Sequence, residues 1–176
     1  MARYGLPKHI VIERSWDGAE APAPTLHATL ELREVPEGLS VIARAPHQPS
    51  PCLPEAPVGH RVADLWRYDV VELFLVGADI YLELELGPEG RYLALDFDGV
   101  RQRRRAFADW WPKVTWMDEG RGWVTMLTVP HEMIPRGLEA MNAFAILSGE
   151  HLAWHPLPGP KPDYHQPDRF PRVRSV

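Results

Sequence analysis

The sequence has 176 residues, of which 45% are hydrophobic and 24% charged, with a formal net charge of −5. Such values fit one globular domain, residues 1–176, with a sizeable core, and they exclude a disordered chain. The acidic balance argues against a nucleic-acid partner and against docking on an anionic membrane surface.

Cys52 is the only cysteine, so neither an intrachain disulfide nor a zinc site of several thiolates can form. No stretch approaches the roughly 18 apolar residues of a membrane span, and Met1 to Ile10 lacks the apolar run of a signal peptide. The expectation is a cytoplasmic protein. The 19 prolines and 13 glycines point to many short elements joined by stiff turns.

In chain order, a first strand is expected at Ile10–Glu13. Thr25 to Glu34 then alternates, with Leu26, Ala28, Leu30 and Leu32 on one face and His27, Thr29 and Glu31 on the other. Pro36-Glu37-Gly38 makes a hairpin turn into Leu39–Arg44. Five prolines between Pro46 and Pro57 mark a stiff crossover loop. Val70–Val76 follows, and then Ile80–Leu86, where Leu82, Leu84 and Leu86 point inward and Tyr81, Glu83 and Glu85 outward. The turn Gly87 to Gly90 leads into Tyr92–Phe97, with Leu93, Leu95 and Phe97 on one face. Further strands are expected at Val100–Arg105, Lys113–Asp118, Trp123–Val129, Ala143–Leu147 and Leu152–His155, with one helical turn at Pro130–Met133. About ten strands of period two, without a 3.6-residue stripe, predict an all-β antiparallel sandwich.

Trp66-Arg-Tyr-Asp69-Val-Val-Glu72-Leu-Phe-Leu resembles the W-x-x-D-x-V-E signature of family-nine carbohydrate-binding modules and related DOMON-like domains. Four further pieces resemble an uncharacterised family found in bacteria and animals. These are Ser15 to Gly18, Tyr81 to Gly90, Asn142 to Ile146, and Lys161 to His165 with Asp168 to Phe170. The resemblance implies a jelly-roll-like sandwich and a pocket in which two aromatic rings hold a sugar and an acid binds its hydroxyls. By motif offset, Trp66 and Tyr164 resemble the rings and Glu72 the acid. Two departures from the relatives make this cleft less basic and more acidic, which does not suit a neutral disaccharide end. Glu83 stands where the sugar binders carry arginine, and Tyr164 stands in the place of a tryptophan.

The residues themselves allow more than one role. Glu72 shares a face with Val70 and Phe74, and a carboxylate among apolar neighbours must be paired or meet a ligand. Trp66 fits either a sandwich cap or a stacking platform. Asp69, at a strand entrance, suits bonds to turn amides. Glu83, Glu85 and Asp96, beside Tyr81 and Tyr92, read first as a solvated outer face and second as the wall of a cleft. Asp163 and His165 would shape its rim. Arg101 to Arg105 reads as a guarded edge strand, or as the partner of an anionic group on the ligand. His155 and His165 are too few for a metal centre, and none of Met117, Met126, Met133 and Met141 sits in a haem-ligand motif, so no cofactor and no metal are expected. The predicted function is binding of a small polar ligand, a saccharide or sugar derivative favoured. The rivals are an enzyme using a carboxylate pair on a sugar or small metabolite, and an interaction module with a closed pocket.

Overall fold

The computed structural model describes residues 4–20, 23 and 26–173. Twelve strands form in the described residues. They are β1 His9–Ile12, β2 Arg14–Ser15, β3 Ala28–Val35, β4 Gly38–Pro46, β5 Val70–Val76 and β6 Tyr81–Leu86. After them come β7 Tyr92–Gly99, β8 Gln102–Arg105, β9 Thr115–Asp118, β10 Gly122–Pro130, β11 Ala140–Leu147 and β12 Glu150–Ala153. The alternating runs of the sequence all become strands, and the predicted helical turn is a 3-10 turn at His131–Met133. Two details differ. The two-residue β2 is an addition, and β12 starts two residues earlier than expected, because Ser148 and Gly149 form the tight hairpin turn behind β11. Thr25 lies outside the described residues.

The strands assemble into two antiparallel sheets packed as a sandwich. One has the order β1-β3-β4-β10-β9, the other β2-β12-β11-β5-β6-β7-β8. The proline-rich loop crosses from β4 in the first to β5 in the second. It is pinned there by Asp69 N–H on the Cys52 carbonyl and Ser148 Oγ on the Ser50 carbonyl. Period-two alternation sends one set of side chains between the sheets. Leu30, Leu32, Val41 and Leu127 meet Leu73, Leu75, Leu82, Leu84, Ala143 and Ala145 in a dry core. Gly38 is fixed by this packing. At φ 155° a Cβ would lie 1.9 Å from the Val129 carbonyl oxygen of the paired β10.

The seven-stranded sheet is buried on its other face too. Val70, Phe74, Tyr81, Leu93, Leu95, Phe97 and Phe144 make a second apolar cluster, roofed by Leu65, Leu157, Tyr164 and Phe170. The roof is the chain after β12, and aromatic pairs hold it down. Tyr164 stacks on Phe144 at 4.0 Å and 7°. Phe170 meets Phe74 edge-on, and His165 does the same to Phe74 and Phe97. Asn142, fully buried, sends its amide to the His155 carbonyl while its own carbonyl accepts the His155 N–H. That pair starts the roof segment back across the sheet.

This second cluster corrects part of the sequence reading. Leu93, Leu95 and Phe97 do share a face, but it is the roofed face, alongside Glu83 and Glu85. Glu83 and Glu85 are therefore not solvated; both are buried. Asp96 and Tyr92 sit on the opposite face from them, because Leu82 pairs with Asp96 across the β6–β7 ladder.

Candidate functional site

The roofed face carries three carboxyl groups on two neighbouring strands. Glu72 of β5 lies directly opposite Glu85 of β6, and Glu83 is the next residue along the same face of β6. All three are at most 3% exposed. Like-charged side chains opposite one another in a ladder repel, and burial denies them water. Burial, and after it the charge of Glu83, pushes the Glu72 carboxyl well above the ordinary range. Burial likewise raises Glu85, with Glu83 and Glu72 adding to the effect. Glu83 is pushed up by burial to about 8, with Arg101 and Arg103 pulling the other way. Burial thus favours the protonated form of all three carboxyls.

Glu72 and Glu83 open into a cavity of about 360 Å³, also lined by Trp66, Tyr164, Asp163 and His165. This volume lies within the range of roughly 300–1,000 Å³ usual for small-ligand sites. Trp66 is delivered by a 3-10 turn, Leu65–Arg67, whose Leu65 is fully buried in the second cluster. Tyr164 arrives from the roof; one ring face rests on Phe144, and its hydroxyl bonds His151 Nδ1 at 2.7 Å. Thus the indole at 66 and the phenol at 164 reach one hollow from segments almost 100 residues apart in sequence. Glu72 Oε1 is buried without a hydrogen-bond partner among the described residues. No cation among the described residues locks it.

The flank of the cavity is tightly organised. The Tyr81 hydroxyl accepts the Arg101 N–H at 3.1 Å and lies 2.9 Å from His165 Nδ1. The other ring nitrogen, Nε2, faces Glu83 Oε2 at 3.9 Å. Burial lowers His165 to about 4, so this imidazole stays neutral at ordinary pH. Burial pushes Tyr81 up to about 12. Arg101 pairs with Asp163 at 2.7 Å on the rim, and Arg103 lines the cavity beside it.

The structure therefore brings together Trp66, Glu72, Glu83, Asp163, Tyr164 and His165. Tyr81 stands behind them as the support of His165 and Arg101. Asp69 does not belong to this group. Its Oδ1 accepts the Ser148 N–H at 2.7 Å, and it borders a separate surface cleft near Trp116. It ties the entrance of β5 to the β11–β12 turn, as a short acid at a strand start does. His151 is not legible as a site residue in the sequence, since only the strand register places it near Glu72; Glu85, read second as the wall of a cleft, lies opposite Glu72. The arginine run divides. Arg104 and Arg105 clasp Asp96 at 2.5 and 2.7 Å. Burial raises Asp96, but these two guanidinium bonds outweigh it and hold the carboxyl below its ordinary value. Among the described residues, no three His, Cys, Asp or Glu side chains converge as ligands for a metal ion.

No family model matches the sequence. Whole-length relatives do. A human protein, UPF0462 protein C4orf33, is 31% identical over 169 residues, covering 88% of this chain and 81% of its own length. The chain belongs to the UPF0462 family. The zebrafish homologue of C4orf33 is 29% identical over 174 residues, with 90% of this chain and 85% of its own covered, and the mouse homologue is 30% identical over 174 residues, with 90% and 87% covered. Among solved structures, a proposed carbohydrate-binding protein from Bacteroides uniformis superposes with a TM-score of 0.71. It is 15% identical and covers 92% of this chain and 83% of its own. At that identity the likeness establishes for this UPF0462 chain a shared fold.

Proposed function

We propose that the chain binds a small polar ligand of the saccharide class in the cavity beneath the C-terminal roof. One observation carries this reading: Glu72, whose Oε1 is buried without a hydrogen-bond partner among the described residues, lines a ligand-sized hollow together with Trp66 and Tyr164. A pyranose offers an apolar C–H face for a ring to stack on and hydroxyls that need fixed partners. Trp66 and the free face of Tyr164 supply the platforms, and Glu72 bonds the hydroxyls. Asp163 and His165 shape the rim. The likeness of the Trp66–Glu72 segment to family-nine carbohydrate-binding modules, and the described role of the Bacteroides uniformis neighbour, support the same class of ligand.

Calorimetry and tryptophan fluorescence with mono- and disaccharides, neutral, amino and acidic, test the reading. The expected result is saturable binding that disappears in Trp66→Ala, with the melting temperature of that variant within a few degrees of the parent. A silent response to every saccharide would overturn it. So would a Trp66→Ala variant destabilised by about 3–5 kcal/mol, the cost of emptying a closed aromatic core site.

A further inference from the structure

The floor of the cavity is chemically odd for a neutral sugar. Hydroxyls call for one fixed acid, with basic or amide groups around it; here three carboxyls crowd one face, on β5 and β6. Charge balance decides what they suit. The groups facing Glu72 are Glu83 and Glu85 from β6, Tyr164 and His165 from the roof, and His151 from β12. None of these is a cation at neutral pH, since burial lowers both His165 and His151. The two arginines of the cavity stand toward the rim. Arg101 is neutralised by Asp163, while Arg103 is exposed on the edge strand. Glu83 therefore feels the charge of both arginines, while Glu72 has no basic partner among the described residues.

We infer that the ligand brings a positive charge of its own: the site takes a saccharide bearing a protonated amine, whose ammonium group bonds Glu72 and Glu83. This rests on the saccharide reading above and sharpens it to amino sugars. Three features support it. Glu72 Oε1, 1% exposed and unpartnered, offers an acceptor at the cavity wall. Glu83, its neighbour along the floor, also lines the cavity, so an ammonium donor with three N–H groups meets two carboxyls. Trp66 and Tyr164 add π faces that attract a cation. A compact divalent ion is the poorer candidate, because the His, Asp and Glu side chains are not grouped as ligands of one ion.

Binding then carries a proton signature. Burial favours the protonated forms of Glu72 and Glu83, and an arriving ammonium ion favours their carboxylates. Near pH 7 the complex should release protons, which appears as a dependence of binding enthalpy on the ionisation heat of the buffer.

The experiment is calorimetry on the full chain at pH 7 in two buffers. The ligands are 2-amino-2-deoxyhexoses and a chitosan disaccharide, their N-acetylated counterparts, and the parent hexoses and cellobiose. The expected result is roughly tenfold or tighter binding of an amine over its acetylated and hydroxyl partners, with proton release. In Glu72→Gln, which keeps the shape and neutrality of the protonated acid, that preference should collapse while the melting temperature holds. Neutral sugars that bind as tightly as the amines overturn this inference and leave the saccharide reading standing. Silence from every sugar overturns both. A preference for the amine that survives in both Glu72→Gln and Glu83→Gln also overturns it, since the acids would then not be the amine's partners.

Discussion

The two faces of the seven-stranded sheet are both buried, yet they are built on opposite principles. The centre of the face toward the second sheet is filled by Leu73, Leu75, Leu82 and Leu84, with one acid, Asp96, clasped by Arg104 and Arg105 at the edge. The roofed face alternates aromatic rings with Glu72, Glu83, Glu85 and Asn142; Asn142 is bonded to the His155 backbone, while Glu72 Oε1 and both Glu85 oxygens have no partner among the described residues. One strand, β6, serves both: Leu82, Leu84 and Leu86 go to one side, Tyr81, Glu83 and Glu85 to the other. Burial alone thus says little about a residue's task. What distinguishes the two faces is where the acids stand: on the roofed side three carboxyls share one face without an arginine clasp, and two of them line a cavity.

Substitutions on either side should separate the two principles. The largest effect is expected from Phe144→Ala, about 3–5 kcal/mol by chemical denaturation. Phe144 underlies Tyr164, Phe74 and Phe170 together, so saccharide binding should be lost as well. Leu84→Ala, one residue from the acid floor but on the dry side, should cost about 2–5 kcal/mol and leave ligand affinity nearly unchanged. Equal losses of affinity in the two variants would erase the contrast.

A smaller effect with a distinctive sign comes from the carboxyls. Glu83 has an ordinary value of 4.5 in the unfolded chain and about 8 in the fold. Its contribution is therefore fully present below about 4.5 and is lost as pH rises to about 8, because the unfolded chain ionises first. His165 works oppositely, its neutral folded form losing stability as pH falls from 6.5 to about 4. The window from pH 6.5 to 8 isolates the acids. The melting temperature should fall across it, and Glu83→Gln should flatten that fall. A wild-type curve that rises through this window would contradict the protonated floor. The smallest effect is expected for Arg104→Ala, under about 1 kcal/mol in denaturant titrations. The side chain is 40% exposed and Arg105 keeps hold of Asp96.

Much of this was legible in the residues. Alternation located the strands, and β5 at Val70–Val76 fell where its run of apolar residues placed it. Glu72 stood out because its i±2 neighbours, Val70 and Phe74, are apolar. Glu83 and Glu85 misled because alternating Leu and Glu is also the pattern of a half-solvated strand. Nothing local distinguishes the two cases. The difference is made by a roof some 80 residues downstream, a segment with no periodicity, held by individual aromatic contacts that only coordinates reveal. The face of Asp96 was misjudged for a related reason, since the β6–β7 register is set by the Gly87–Gly90 turn rather than by hydrophobic pattern. Asp69 shows the converse. Its motif position marked it as a site residue, while its chemistry, a short acid before a strand, already named the amide bond it makes.

The pinning of the roof by Asn142 on the His155 backbone has a consequence for how the molecule matures. Both sheets are complete by Ala153, so a nascent chain that has emerged that far can already fold its main body while its acids still face bulk water and carry charge. Docking of the remaining segment strips that water, neutralises the floor and creates the pocket in one event. Competence for ligand is therefore the last property such a chain acquires, and the first it would forfeit to a protease nicking the stretch beyond Pro156.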